Sequence, residues 1–226
     1  MGHYGPYTFP NGLRRAREQL WAWPEGKEIV GRHEAFLHIS TSYIFGAGKD
    51  LKILPADYAA LPEMHFVTRI VLALLKHPDA LMYFNSNGEI LADEKLLRNS
   101  LEFYAQHQQP PLDIWTNIRL FKLDNGWLMM DTVGMEQLDH PDLEACFPSS
   151  KYNPQDVSRF LRNCSLYLLN AGEVVKHKDT MNGPGDINWQ AFHVEKGVSS
   201  PPRRLIRWFP MDGSEAPEGL RPKENS

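Results

Sequence analysis

The sequence predicts an α+β fold, a single domain with a mixed, mainly antiparallel sheet and helices packed on it. Three observations carry this. The stretch from Leu112 to Phe147 is the longest β signal in the chain, and Asp124-Asn125-Gly126 interrupts it where a tight strand-to-strand turn would demand positive φ angles. Glu63 to Lys76 sets Phe66, Ile70 and Leu74 along one line and Val67, Val71 and Leu75 along the next, which is the period of a helix with a wide apolar stripe, and so a core helix. Asn153-Pro154-Gln155-Asp156 reads as an N-cap followed by Pro at the first helical position, and Val157, Phe160, Leu161, Cys164 and Leu168 then share one face as far as Gly172. Strand runs and helix runs that segregate in this way belong to the α+β class.

The remaining elements follow in order. Residues 1–24 read as an irregular segment and a short helix over Leu13–Leu20, residues 25–210 as the α+β domain, and residues 211–226 as a disordered tail. Glu34 to Phe45 alternates like a strand. Leu81–Phe84 and Glu89–Leu91 flank an Asn-Gly turn, and Asp93 caps a helix reaching about His107. Asp113–Leu123 and Trp127–Val133 form the central hairpin, neither face of its first strand being clearly the wet one, so that strand reads as internal. Glu173–Lys176 reads as a short strand and Asp179–Asp186 as a glycine and proline loop; Asn188–Glu195 pairs with Arg203–Phe209 as a terminal hairpin.

Composition narrows the function. The 226 residues carry 24 Lys and Arg against 28 Asp and Glu, a formal charge of -4, so no net basic character points to nucleic acid. No run of apolar residues reaches the roughly 18 a membrane span needs, and the first ten residues lack a secretory pattern. Two cysteines, Cys146 and Cys164, without CxxC spacing suit a reducing compartment, so a cytoplasmic location is expected.

Candidate chemistry is sparse. Asp139, His140, Asp142 and Glu144 crowd the segment after Gly134, where they could hold a divalent ion or act as acid and base, although a solvated loop is the preferred reading. His33, His38, His177 and His193 sit near separate strands and would form a metal site only if they converged. Gly46-Ala47-Gly48-Lys49-Asp50 approaches a phosphate loop but has Tyr43 where Gly is needed and Asp50 where Ser or Thr is needed. Arg203, Arg204, Arg207 and Trp208 read as a basic, aromatic edge strand, and Arg14, Arg15 and Arg17 as a basic knot on a short helix. No GxSxG and no recognisable cysteine nucleophile is present.

A family resemblance rests on dispersed pieces: Arg32-His33-Glu34-Ala35-Phe36-Leu37-His38-Ile39-Ser40, Asp79-Ala80-Leu81-Met82-Tyr83, Trp127 through Met135, Pro141-Asp142-Leu143-Glu144 and Asp179-Thr180-Met181. With this order of elements the chain resembles the bacterial family DUF4261, a domain of unknown function, over about residues 25–210. The resemblance implies a bacterial protein and brings no catalytic residues with it. Family members carry a further segment ahead of the first strand, here reduced to a short helix, which implies either a shortened chain or a sheet completed by a partner.

These readings lead to an expected protein-binding module, an adaptor or immunity-like protein without catalysis or cofactor, whose partner is another protein met at a sheet face or edge. Two alternatives stand beside it. One is a metal-assisted hydrolase using the Asp139–Glu144 segment with histidines from neighbouring strands. The other is a nucleic-acid binder acting through Arg203–Trp208.

Overall fold

A computed structural model describes residues 9–43 and 55–220. The Gly46–Asp50 turn lies outside them, as do the end of the expected Glu34–Phe45 strand and the chain termini. The fold is α+β, with a six-stranded mixed sheet and a separate two-stranded one. The chain divides into two compact units, one taking in Ile90–Ile114 with the residues up to Ser86, the other Asn87–Glu89 with the residues from Trp115 on.

In the first unit, α1 (Gly12–Glu18) and α2 (Gly26–Ile29) are followed by α3 (Ala60–Leu74), a hairpin of β1 (Tyr83–Asn85) and β2 (Ile90–Ala92), and α4 (Glu94–His107). Ala16, Leu20, Val30 and Leu91 form its core, with Leu13, Trp23, Met82 and Phe84 against it. The Asp93 carboxylate caps α4 by accepting from the Leu96 N–H at 2.7 Å. Two expectations fail here. Residues 34–43 form no strand, because they find no ladder partner among the described residues and remain largely exposed. The apolar stripe of α3 is only partly buried: Val71 is covered, but Phe66 is 59% and Leu74 42% exposed.

The single turn α5 (Leu112–Trp115), which closes the first unit's stretch of chain, leads into β3 (Asn117–Lys122) of the second, so the first strand of the hairpin starts later than its β-rich composition suggests. β4 (Trp127–Val133) returns after a turn in which Asn125 and Gly126 adopt φ of 55° and 73°, the left-handed values expected of Asn-Gly. Next come β5 (Asp142–Pro148), α6 (Pro154–Ala171), β6 (Thr180–Gly183), β7 (Ile187–Val194) and β8 (Leu205–Pro210). The sheet order is β3-β4-β5-β8-β7-β6, parallel only between β5 and β8. This order corrects two placements: β3 is an edge strand, and the Arg203–Phe209 segment lies in the middle of the sheet. Glu173–Lys176 is not a strand, whereas half of the expected Asp179–Asp186 loop is β6.

Alternation assigns the two faces of this sheet. Leu143, Ala145, Phe147, Trp189, Ala191, Ile206 and Trp208 point to one face, where α6 lays Val157, Phe160, Leu161, Cys164 and Leu168 on them. Phe160 sits 5.3 Å from the Trp189 ring and 5.5 Å from that of Trp208. The helix starts where expected, with the Asn153 side chain accepting from the Gln155 N–H at 2.9 Å. On the other face Trp127, Met129, Cys146, Phe192, Phe209 and Leu220 cluster. Past β8, Asp212 accepts from Lys151 and the Tyr152 hydroxyl at 3.0 and 2.9 Å, and Leu220 is buried, while Met211, Gly213, Glu215, Glu218 and Gly219 are exposed.

Candidate functional site

The acidic segment after Gly134 does not form a wet loop. Asp142 and Glu144 are inside β5 and buried, each pointing to the sheet face opposite α6, while Asp139 is exposed and His140 half-buried on the turn before them. Sequence reasoning stopped the β signal at Gly134 because acids interrupt the apolar alternation. The acids are tolerated because cations meet them on neighbouring strands.

Register lines these charges into one row. Arg119 on β3 is the cross-strand partner of Asp131 on β4, Asp131 of Glu144 on β5, and Glu144 of Arg207 on β8. Arg119 donates to both Asp131 oxygens at 2.9 and 2.6 Å, a bidentate pairing, and to Glu89 at 3.3 Å. Arg203, just ahead of β8, joins Asp131 at 2.7 Å to Asp142 at 3.0 Å. Arg207 donates to Glu144 and, at 2.6 Å, to the Leu220 carbonyl. Asp142 also accepts from the Thr132 hydroxyl at 2.7 Å and from the Gly134 and Met135 N–H groups at 3.3 and 3.1 Å. The strands that carry these residues each hold one or two charges among apolar neighbours at the same parity, and that was the legible signal.

A long connection covers the row. β7 and β8 are antiparallel neighbours that a short turn could join, yet residues 195–204 fold back over the sheet face. The Val198 N–H donates to Glu144 at 3.4 Å, and the Ser199 hydroxyl donates to Asp131. The Ser200 and Pro201 carbonyls accept from Arg119 and Arg203 at 2.7 and 2.8 Å. Burial pushes the Asp131 carboxyl up, but Arg203 and Arg119 outweigh it and hold it below the ordinary range. At Asp142 and Glu144 burial prevails over Arg203 and Arg207 respectively, and both are pushed up. The oxygens of Asp131 and Asp142 are thus taken up by protein donors. Chemically the row is a set of satisfied buried ion pairs that fixes strand register.

The histidines divide between the units. In the first, His33 Nδ1 lies 2.6 Å from the Val30 carbonyl and His38 is exposed. In the second, His177 and His193 come together, the His193 N–H donating to His177 Nδ1 at 3.2 Å and His193 Nε2 lying 2.9 Å from the Val175 carbonyl. Among the described residues no group of three or more His, Cys, Asp or Glu is placed to hold a metal ion. Arg203, Arg207 and Trp208 are buried, and of the supposed basic edge Arg204 alone is exposed, 2.9 Å from Glu173.

Main-chain groups are open along the sheet edge at β6. The Lys178 N–H bonds to the Ala191 carbonyl at 2.7 Å and the Ala191 N–H to the Asp179 carbonyl at 2.8 Å, with Lys178 at φ 71°, a bulge that opens the strand. From there the alternation of an antiparallel ladder turns the main-chain groups of Met181 and Gly183 toward β7 and those of Thr180 and Asn182 outward. Thr180 and Asn182 are exposed, and β6 itself carries no charge and no proline. Gly183 is required at its end, since a Cβ there would stand 2.5 Å from Trp189 Cδ1.

No helix among the described residues is long and apolar enough to cross a membrane. No curated protein and no solved structure matches the chain. Residues 131–209, from within β4 to the next-to-last residue of β8, match the model of the family DUF4261, a domain of unknown function, which is the family the sequence resembles.

Proposed function

We propose that the protein is a protein-binding module of the bacterial cytoplasm that works without catalysis and receives an extended segment of its partner along β6. The observation that carries this reading is the uncharged, exposed β6 edge, with two outward N–H and two outward C=O groups on Thr180 and Asn182. Such an edge is a template for strand addition, in which main-chain hydrogen bonds supply affinity and side chains on alternate positions supply choice. The saturated ion-pair row across β3, β4, β5 and β8 supports the same reading, because it ties the strands of the sheet together with its charges spent internally. The cytoplasmic setting is supported by Cys146 and Cys164, which are buried and free on opposite faces of the sheet.

Proline at position 182 is the test. The Asn182 N–H is not used by the fold, so Asn182→Pro should leave the thermal unfolding of dilute protein nearly unchanged while blocking strand addition. Affinity capture from the native host, run with wild type and Asn182→Pro, is expected to yield a stoichiometric protein that the variant loses. Capture of the same proteins by both would overturn the reading.

A further inference from the structure

The outward groups of β6 have a symmetry that selects one partner. Thr180 and Asn182 stand on either side of Met181, so a two-fold axis through Met181 sets Thr180 of one strand opposite Asn182 of another antiparallel strand of identical sequence. Both are outward-facing positions, and the two pairings exchange four main-chain hydrogen bonds, which is the ladder's own requirement. Charge agrees with this register. Lys176 and Lys178 precede the strand, outnumbering Asp179, whose carboxylate accepts from the Lys176 N–H at 2.8 Å, and Asp186 follows it, all exposed, so the antiparallel arrangement brings the net basic end of each strand to the acidic end of the other. A parallel arrangement would set like charges side by side. Pro184 ends the strand, which confines pairing to this short segment.

Resting on the edge reading given above, we infer that the strand received by β6 is β6 of a second copy of this chain, forming an isologous dimer with one sheet continuous across it. Each half-site is the other's ligand, and one substitution acts twice.

Sedimentation velocity of the full chain over a concentration series tests this. Wild type is expected to shift from monomer to dimer, and Asn182→Pro to remain monomeric. Asp186→Lys is expected to weaken dimerisation by roughly fivefold to tenfold, as two rim charge pairs turn repulsive, and the exchanged pair Lys176→Asp with Asp186→Lys to restore it. Wild-type monomer at every concentration overturns the inference, as does an Asn182→Pro dimer of unchanged strength or a failed restoration. A monomer that nonetheless captures a different protein in an Asn182-dependent way retires the second copy and leaves the edge reading standing. A monomer whose captured proteins ignore Asn182→Pro retires both.

Discussion

Asp131 and Glu144 are direct cross-strand partners, two buried carboxylates side by side on β4 and β5. Like charges so placed repel unless cations flank them, and Arg119 and Arg207 stand at the two ends of the pair while Arg203 bonds to Asp131. The row exists because its members were placed by register, and removing one member strands the others.

Asp131→Ala leaves Arg119 and Arg203 without their shared carboxylate in a dry site. Urea unfolding should show a loss of about 3 to 5 kcal/mol, the cost of an uncompensated buried charge. A loss within the range of an ordinary surface substitution would mean that the row is hydrated in solution.

The same carboxylates set the pH dependence, with opposite signs. The folded pKa of Asp131 is depressed, so its contribution is present above the unfolded value of about 4 and is lost as pH falls through the folded one. Those of Asp142 and Glu144 are raised by burial, so their contribution is present below the unfolded value and is lost as pH rises through the folded one. Unfolding free energies measured across that window should therefore fall with rising pH on account of these two groups, and Glu144→Gln should flatten the slope. An unchanged slope in the variant would assign the dependence to other groups.

Both thiols should be silent in the native protein. Burial pushes Cys164 up to about 12 and also raises Cys146 well above the ordinary thiol range, which removes the reactive thiolate as well as access to it. A disulfide reagent is expected to titrate neither until denaturant is added and then both, at the rate of unfolding. Rapid labelling of either in native buffer would contradict its placement in the core.

Gly134 ends β4 at φ 117°, and a Cβ there would lie 2.6 Å from the Trp115 carbonyl oxygen and 2.7 Å from Gly88 Cα. Gly134→Ala is expected to cost on the order of 2 kcal/mol or more, from strain and overlap together. A melting temperature equal to wild type would show that the turn relaxes freely.

The legible parts of the sequence were those with local grammar. The Asn153-Pro154 start of α6, the Asp93 cap and the Asn125-Gly126 turn depend on neighbours in the chain, and all three stand where the sequence puts them. What escaped were long-range pairings. Asp142 and Glu144 resemble a surface loop until Arg203 and Arg207, some sixty positions on, are brought beside them by a parallel strand pair. The same arginines look like an exposed basic edge until their acids are found. Residues 34–43 show the reverse failure, since strand-like alternation makes no strand without a ladder partner. The open edge at β6 was hidden in a glycine-rich run that read as a loop, and only the bulge at Lys178 and its register with β7 make it a strand.

Amide hydrogen exchange along β6 tests the role of this edge most directly. In dilute protein the Met181 and Gly183 N–H groups, turned toward β7, should be protected, while those of Thr180 and Asn182 should exchange as in an open chain. As protein is concentrated, Thr180 and Asn182 should gain protection with the other two unchanged. Thr180 and Asn182 amides that stay open at every concentration, and beside every protein the chain captures, would contradict a strand-receiving edge.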